Sequence, residues 1–127
     1  FPVGEVSKII NDDIIIVVML ETPKAINNVE EIASVPGIDV LLVGTNDLCM
    51  EMGIPGEFNH NDVKESYKKV IHACNNNDIL PGMGGVYDET LMHEYIDLGM
   101  KFILSGSDLS FLVKGAEDRL NNLKNKG

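Results

Sequence analysis

Four apolar segments recur along the chain, and each is followed by a stretch with the residue spacing of an amphipathic helix. The clearest apolar segment is the unbroken run at residues 14–20, which is rich in isoleucine and valine. Such runs are typical of strands buried on both faces, as strands are in parallel sheets. We therefore expect an α/β fold in which parallel strands alternate with helices.

The predicted order is a helix followed by four strand–helix units. We expect strands at residues 14–21, 38–44, 79–85 and 101–107, and helices at residues 5–12, 22–35, 61–77, 87–99 and 108–126. The helix at 61–77 is predicted to begin with a cap at Asn61 or Asp62. Its apolar stripe comprises Val63, Tyr67, Val70, Ile71 and Cys74. The stripe of the last helix comprises Leu109, Leu112, Val113, Ala116, Leu120 and Leu123.

Parallel strand–helix units build two standard architectures, the doubly wound open sheet and the (β/α)8 barrel. A complete barrel takes about 250 residues. The 127 residues here provide four units, which is half of a barrel. A free four-stranded α/β domain is the alternative.

The composition and charge of the chain limit the kinds of partner that it can bind. The chain is 44% hydrophobic and 24% charged, which is typical of a globular protein, and its net charge is −10. This acidic balance argues against binding to nucleic acid or to anionic membranes, because both require a basic surface. The longest apolar run is also too short to span a bilayer.

The two cysteines, Cys49 and Cys74, have no metal-ligand spacing. We interpret them as buried, reduced thiols of a cytoplasmic protein. The chain begins with Phe1 and Pro2 rather than with methionine, so we expect a fragment or a processed product.

Carboxylates occur at or near the ends of the predicted strands, where α/β proteins collect their functional groups. They are Glu21, Asp47, Asp88 and Asp108. Glutamate is a poor helix cap, and Thr22 can cap the next helix in its place. Glu21 is therefore a candidate for function, although it can also be a solvated loop carboxylate. Asp47 has the alternative role of capping a short helix at residues 48–52.

Glu21 and Asp47 end consecutive strands, and neighbouring strands lie about 4.8 Å apart. Two carboxylates so placed repel each other unless a cation lies between them or one is protonated. A hard divalent cation such as Mg²⁺ or Mn²⁺ suits two carboxylates, with its other positions open to water or substrate oxygens. A histidine-based zinc site is not expected, because His60, His72 and His93 share no ligand spacing.

Two loops rich in glycine or serine, at residues 82–85 and 105–110, also follow predicted strands. Loops of this kind bind phosphate through backbone N–H groups in some barrels. Close packing of the glycines, and helix capping by Ser107 or Asp108, are the favoured interpretations here.

The sequence at residues 18–63, 81–88 and 99–116 resembles the HpcH/HpaI aldolase/citrate lyase family, most clearly in the motif GTNDL and the GIPG that follows it. Within that family it is most similar to the metal-dependent (class II) pyruvate aldolases of 2-keto-3-deoxy sugar acids and related hydroxy-oxo acids. The resemblance implies the C-terminal half of a TIM (β/α)8 barrel. Residues 1–127 are then one partial domain that contains strands five to eight.

The resemblance also implies roles for individual residues. The metal-binding carboxylates of the family fall on Glu21 and Asp47, and a substrate-binding backbone amide falls on Asn46. The implied cofactor is Mg²⁺ or Mn²⁺, with Co²⁺ and Zn²⁺ left open. The cation is expected to chelate the carboxylate and keto oxygens of pyruvate and to stabilise an enolate as a Lewis acid. The reaction cleaves a 2-oxo-3-deoxy or 4-hydroxy-2-oxo acid to pyruvate and an aldehyde. The family commonly forms trimers and hexamers, so we expect a homo-oligomer.

The chain departs from the family pattern in two respects. Met19 stands where some of these aldolases carry a substrate-contacting glutamine. The substrate-binding arginine and the His–Asp general base of the family lie in the N-terminal half, which this chain does not contain. We therefore expect no residue of this chain to act as the catalytic base. The chain is expected to supply the metal-binding half of the site. A non-catalytic half-barrel that binds a cation or an oxo-acid, or that serves in assembly, is the alternative. The branch of lyases that act on acyl-CoA esters is less favoured by the GTNDLC block.

Overall fold

The computed structural model describes residues 2–124. The helices are α1 Val3–Asp13, α2 Pro23–Asn27, α3 Val29–Ala33, α4 Thr45–Glu51, α5 Asn61–Asn77, α6 Glu89–Leu98 and α7 Asp108–Lys124. The strands are β1 Val17–Leu20, β2 Val40–Gly44, β3 Leu80–Gly84 and β4 Phe102–Ile103. The strands form one parallel sheet in the order β1-β2-β3-β4. The predicted α/β fold with parallel strands is confirmed.

The core lies between one face of the sheet and the helices. Leu20, Val43 and Met83 share a level of the sheet through the β1–β2 and β2–β3 registers, and all three are buried in this core. Helix α5 packs against the same face. Four residues of its predicted stripe are fully buried and Ile71 is partly buried, which confirms the stripe.

The other face of the sheet is only partly covered. Side chains alternate between the two faces of a strand, so Met19 faces away from the core that contains Leu20. Met19 is 52% exposed and Leu80 is 45% exposed. The prediction that every strand is buried on both faces is correct only for β2, because β1 and β4 contain exposed or partly buried residues and β3 begins with the exposed Leu80. A run of apolar residues indicates a strand, but the layer that covers its second face depends on tertiary structure.

The predicted first and fourth strands are also shorter than expected, since β4 is only Phe102–Ile103 where residues 101–107 were predicted. Residues 14–16 lie outside β1 and are exposed. Helices α1 and α7 contain no buried residue, so the apolar stripe predicted for the last helix is exposed to solvent. Residues 125 and 126 of that prediction lie outside the described residues. None of the helices within residues 2–124 is long and apolar enough to cross a membrane.

Several helices differ from the prediction in their boundaries or caps. The helix predicted at residues 22–35 is divided at Asn28 into α2 and α3. The cap of α5 is His60, whose ring Nδ1 accepts a hydrogen bond from the Asp62 amide at 3.2 Å. The prediction of Asn61 or Asp62 as the cap is wrong because the helix already begins at Asn61. The cap of α2 agrees with the prediction, since the Thr22 hydroxyl accepts a hydrogen bond from the first turn of that helix, and α6 ends before Gly99.

Candidate functional site

The carboxyl ends of the parallel strands meet at one edge of the sheet. Leu20 pairs with Val43, and Gly44 pairs with Gly84. Glu21, the residue after Leu20, therefore comes at the level of Gly44. The sheet register thus brings Glu21 beside the start of α4, which follows β2 directly.

The side chain of Glu21 occupies the space beside Gly44. A Cβ added at Gly44 would lie 2.7 Å from Glu21 Cγ and 2.9 Å from Glu21 Oε1, which is closer than real Cβ atoms come to other atoms. The φ of Gly44 is −81°, so the backbone itself does not require glycine. Gly44 is needed here for the room that it leaves to the Glu21 carboxylate.

Helix α4 has two distinct sides. Thr45, Leu48 and Cys49 are fully buried, whereas Asn46 and Asp47 are exposed. Asp47 is the third residue of the helix, where a negative charge is favourable because the N-terminus carries partial positive charge. The N-cap position is Gly44, and no side chain caps this end. The alternative that Asp47 caps a helix at residues 48–52 is therefore wrong, since the helix already begins at Thr45.

Asn46 and Asp47 line a cleft of about 220 Å³ at this edge of the sheet. The lining residues are Met19, Gly44, Thr45, Asn46, Asp47, Gly84, Gly85, Tyr87 and Leu104. Gly85 has a φ of 85°, and a Cβ there would lie 3.2 Å from Asn46 Nδ2 and 3.3 Å from the Asn46 amide nitrogen. The end of the glycine-rich loop thus packs closely on Asn46, in agreement with the packing interpretation of that loop.

The other two strand-end carboxylates serve helix ends. Asp88 Oδ1 accepts a hydrogen bond of 2.9 Å from the Leu91 amide and so caps α6. Asp108 lies in the first turn of α7, where its Oδ1 accepts from the Leu109 amide. Among these candidates, the Glu21 side chain lies against Gly44, and Asp47 lines a cleft that Gly44 also lines.

The histidines are dispersed over the structure. His60 caps α5, and His72 and His93 are exposed on α5 and α6. Within residues 2–124, no three side chains of histidine, cysteine, aspartate or glutamate come together as a cation site. Glu21 and Asp47 can therefore offer two protein ligands to a cation, and the remaining positions would fall to water or substrate.

One buried contact of the cleft was not predicted from sequence. The hydroxyls of Thr45 and Tyr67 lie 2.7 Å apart in a hydrogen bond, and both side chains are fully buried. Burial raises the pKa of Tyr67 to about 12, so the phenol stays protonated at neutral pH. The helical stripe indicated that Tyr67 is buried, but no sequence signal links two residues that are 22 positions apart.

Residues 3–115 match the family model described as HpcH/HpaI aldolase/citrate lyase. The chain belongs to this family. Helices α1 to α6, all four strands and the first half of α7 lie within the matched HpcH/HpaI region.

Named relatives of this HpcH/HpaI chain are aldolases. The 4-hydroxy-4-methyl-2-oxoglutarate aldolase cghB of Chaetomium globosum is 37% identical over 105 residues, which are 81% of this chain and 39% of that enzyme. The 4-hydroxy-2-oxo-heptane-1,7-dioate aldolase of Escherichia coli is 31% identical over 107 residues, which are 84% of this chain and 40% of that enzyme. The chain therefore spans about two fifths of the length of these relatives.

A solved structure of the family also shows that this chain corresponds to part of a longer protein. The HpcH/HpaI aldolase from Desulfitobacterium hafniense DCB-2 superposes with a TM-score of 0.78 at 27% identity, over 98% of this chain and 48% of that chain. The four parallel strands with their helices thus correspond to about half of an HpcH/HpaI fold. The half-barrel predicted from the sequence is confirmed.

Proposed function

We propose that this chain supplies the cation-binding half of a metal-dependent aldolase site, with Glu21 and Asp47 as the protein ligands. One observation carries the proposal. The Glu21 side chain fills the space beside Gly44, and Asp47 lines a cleft that Gly44 also lines, so both carboxylates lie at the same edge of the sheet. Two carboxylates that approach each other at this edge repel unless a positive charge lies between them.

The chemistry of these ligands suits a hard divalent cation. Mg²⁺ binds through one or two carboxylates and keeps its other positions for water and substrate oxygens. Mn²⁺ favours the same oxygen ligands. We propose Mg²⁺ or Mn²⁺ as the cofactor. When bound, such a cation supplies Lewis-acid stabilisation of negative charge that develops on a substrate oxygen.

Other residues of the cleft suit an oxo-acid substrate. Asn46 is the second residue of α4, and an N–H at this position has no acceptor within the helix. We propose that it donates a hydrogen bond to an oxygen of the substrate. Met19, Tyr87 and Leu104 provide apolar walls that limit the access of water to the substrate.

The proposed reaction is the cleavage of a 4-hydroxy-2-oxo acid to pyruvate and an aldehyde, the substrate class that the names of the relatives indicate. The reaction needs a general base and a cationic group for the substrate carboxylate. No histidine, lysine or arginine of residues 2–124 lines the cleft. We therefore propose that a complete active site takes both groups from four further strand–helix units.

A titration with Mn²⁺ tests the proposed ligands. Glu21→Gln and Asp47→Asn each keep the shape of the side chain but remove its charge. Removing a residue that hydrogen-bonds to a metal ligand typically weakens metal binding about 10- to 100-fold. We expect the loss of a ligand itself to weaken binding at least as much. Binding is measured by calorimetry with and without pyruvate, which we expect to tighten binding in the wild type only.

Asp88→Asn is the matched control. It also removes one negative charge near a strand end, and asparagine caps a helix as well as aspartate does. We expect this variant to bind Mn²⁺ like the wild type. Equal affinities in all four proteins would show that Glu21 and Asp47 are not ligands. Exchange of the pyruvate methyl protons with D₂O by this chain alone would contradict the proposal that the base lies elsewhere.

A further inference from the structure

The residues that face the cleft from α4 belong to a short helix without a side-chain cap. Helix α4 has seven residues, and no side chain caps its N-terminus. Asn46 and Asp47 are the second and third residues of this helix, and both are exposed. Their directions therefore depend on how the helix is rotated about its own axis.

The hydrogen bond between Thr45 and Tyr67 restrains this rotation. Thr45 is the first residue of α4, and its hydroxyl points into the core while the next two residues point into the cleft. The partner hydroxyl belongs to the middle of α5, an element of 17 residues that packs on the sheet. A buried hydroxyl that loses its partner costs free energy, so the two groups stay together.

Tyr67 is itself firmly held. Its ring lies 4.1 Å from the ring of Tyr95, measured between centroids, and both side chains are fully buried. The Tyr95 hydroxyl in turn donates to the carbonyl oxygen of Phe58, in the loop between α4 and α5. The two tyrosines thus connect both ends of the segment that contains α4 to the core.

We propose that Thr45 and Tyr67 are positioning residues that set the orientation of Asp47, and with it the affinity of the cation site. This inference rests on the proposed function, because it assigns a role relative to the proposed cation ligand. Neither residue needs to touch the cation or the substrate. They act on Asp47 because they hold the first turn of α4 in place.

The test separates orientation from stability by removing the hydroxyls singly and together. Thr45→Val and Tyr67→Phe each leave one buried hydroxyl without a partner, so each lowers the melting temperature. The double variant Thr45→Val/Tyr67→Phe removes both hydroxyls, and replacing both partners by apolar groups of the same shape is nearly neutral for stability. The melting temperature of the double variant should therefore recover toward that of the wild type.

Mn²⁺ affinity gives the decisive readout. If the hydrogen bond orients Asp47, the double variant binds Mn²⁺ about 10-fold more weakly than the wild type, although its stability has recovered. This is the lower end of the loss that is typical when a residue that supports a metal ligand is removed. If the hydrogen bond serves stability alone, affinity recovers together with the melting temperature. That second result would overturn the inference.

Ser66→Ala is the control. Besides Thr45, Ser66 is a buried polar residue of the described part of the chain, and the hydrogen bond of its hydroxyl to the Asp62 carbonyl lies within α5 rather than between α5 and α4. We expect this variant to keep the Mn²⁺ affinity of the wild type, whether or not its melting temperature changes.

A wild type that binds no Mn²⁺ would contradict the proposed function, and amide hydrogen exchange then tests the positioning role separately. The helical amides of residues 49–51 should exchange faster in the double variant than in the wild type, whereas unchanged exchange would overturn the inference.

Discussion

Gly44 shows that a residue can matter through the side chain that it lacks. The motif GTNDL draws attention to its polar members, yet its glycine provides the space in which the Glu21 side chain lies. The neighbouring Thr45 contributes through the core, where its hydroxyl meets that of Tyr67. At the scale of single residues, the proposed site thus depends on groups that do not bind the cation themselves.

Gly44→Ala should weaken the proposed cation site. The new Cβ would lie 2.7 Å from Glu21 Cγ, so the glutamate side chain has to move away. Because that side chain is flexible, we expect the displacement to cost little stability but to weaken Mn²⁺ binding about 10-fold. Calorimetry gives the affinity, and the melting temperature gives the stability.

Gly115→Ala is the control for this change. Gly115 lies in α7, and a Cβ there meets no atom within 4 Å. Alanine in an exposed helix is favoured over glycine by about 1 kcal/mol, so this variant should be slightly more stable and bind Mn²⁺ normally. If Gly44→Ala binds as tightly as Gly115→Ala does, Glu21 does not need its present position.

Helix α5 illustrates how one element serves both the core and the site. Its buried face packs on the sheet, and the same face carries Tyr67 toward α4. Two ionisable groups are buried on this face. Burial raises the pKa of Tyr67 to about 12 and that of Cys74 to about 11. Both groups are neutral when protonated, so burial favours their protonated forms.

The stability of the fold should therefore decrease in alkaline solution. The folded protein holds these protons more tightly than the unfolded chain, in which Cys74 loses its proton near its ordinary pKa of 9.0. The contribution of Cys74 is complete below pH 9 and is lost as the pH rises through about 11. For Tyr67 the corresponding loss extends from about pH 10 to about pH 12.

Urea unfolding at pH 8 and pH 10.5 measures this effect. We expect Cys74→Ala to be less stable than the wild type at pH 8, because it leaves a small cavity. Its further loss between the two pH values should be smaller than that of the wild type, by on the order of 1 kcal/mol. An equal loss in both proteins would show that the Cys74 thiol does not contribute to the pH dependence.

The whole molecule presents a sheet with one well-covered face and one partly exposed face. Met19, Leu80 and Leu104 are each more than 40% exposed, and helices α1 and α7 have no buried residue. The outer strands β1 and β4 each pair with one neighbour in the described sheet. Exposed apolar surface and unpaired strand edges both favour association.

We therefore predict that the isolated chain self-associates. Sedimentation should detect species larger than the monomer, in a proportion that rises with concentration. Leu80→Lys should reduce this association, because it places a charge on the exposed face without touching the core. Val35→Lys is the control, since Val35 is 53% exposed in the loop after α3. The prediction is wrong if the wild type stays monomeric or if both variants associate equally.

Much of the fold could be predicted from local patterns. The alternation of apolar runs with helical stripes indicated parallel strands and helices, and the stripe of α5 identified residues that are buried. The same patterns directed attention to Glu21 and Asp47, because each follows a strand end. Their role as cation ligands remains a prediction.

The sequence by itself determined which residues share a face and, to within one residue, where β1, β2 and β3 end, since backbone periodicity is a local property. Tertiary structure alone decided that Glu21 fills the space beside Gly44, that Thr45 meets Tyr67, and that Met19 is exposed although its run looked fully buried. Each of these depends on which elements lie opposite one another. That arrangement follows from sheet register and the packing of distant segments, neither of which a short stretch of sequence encodes.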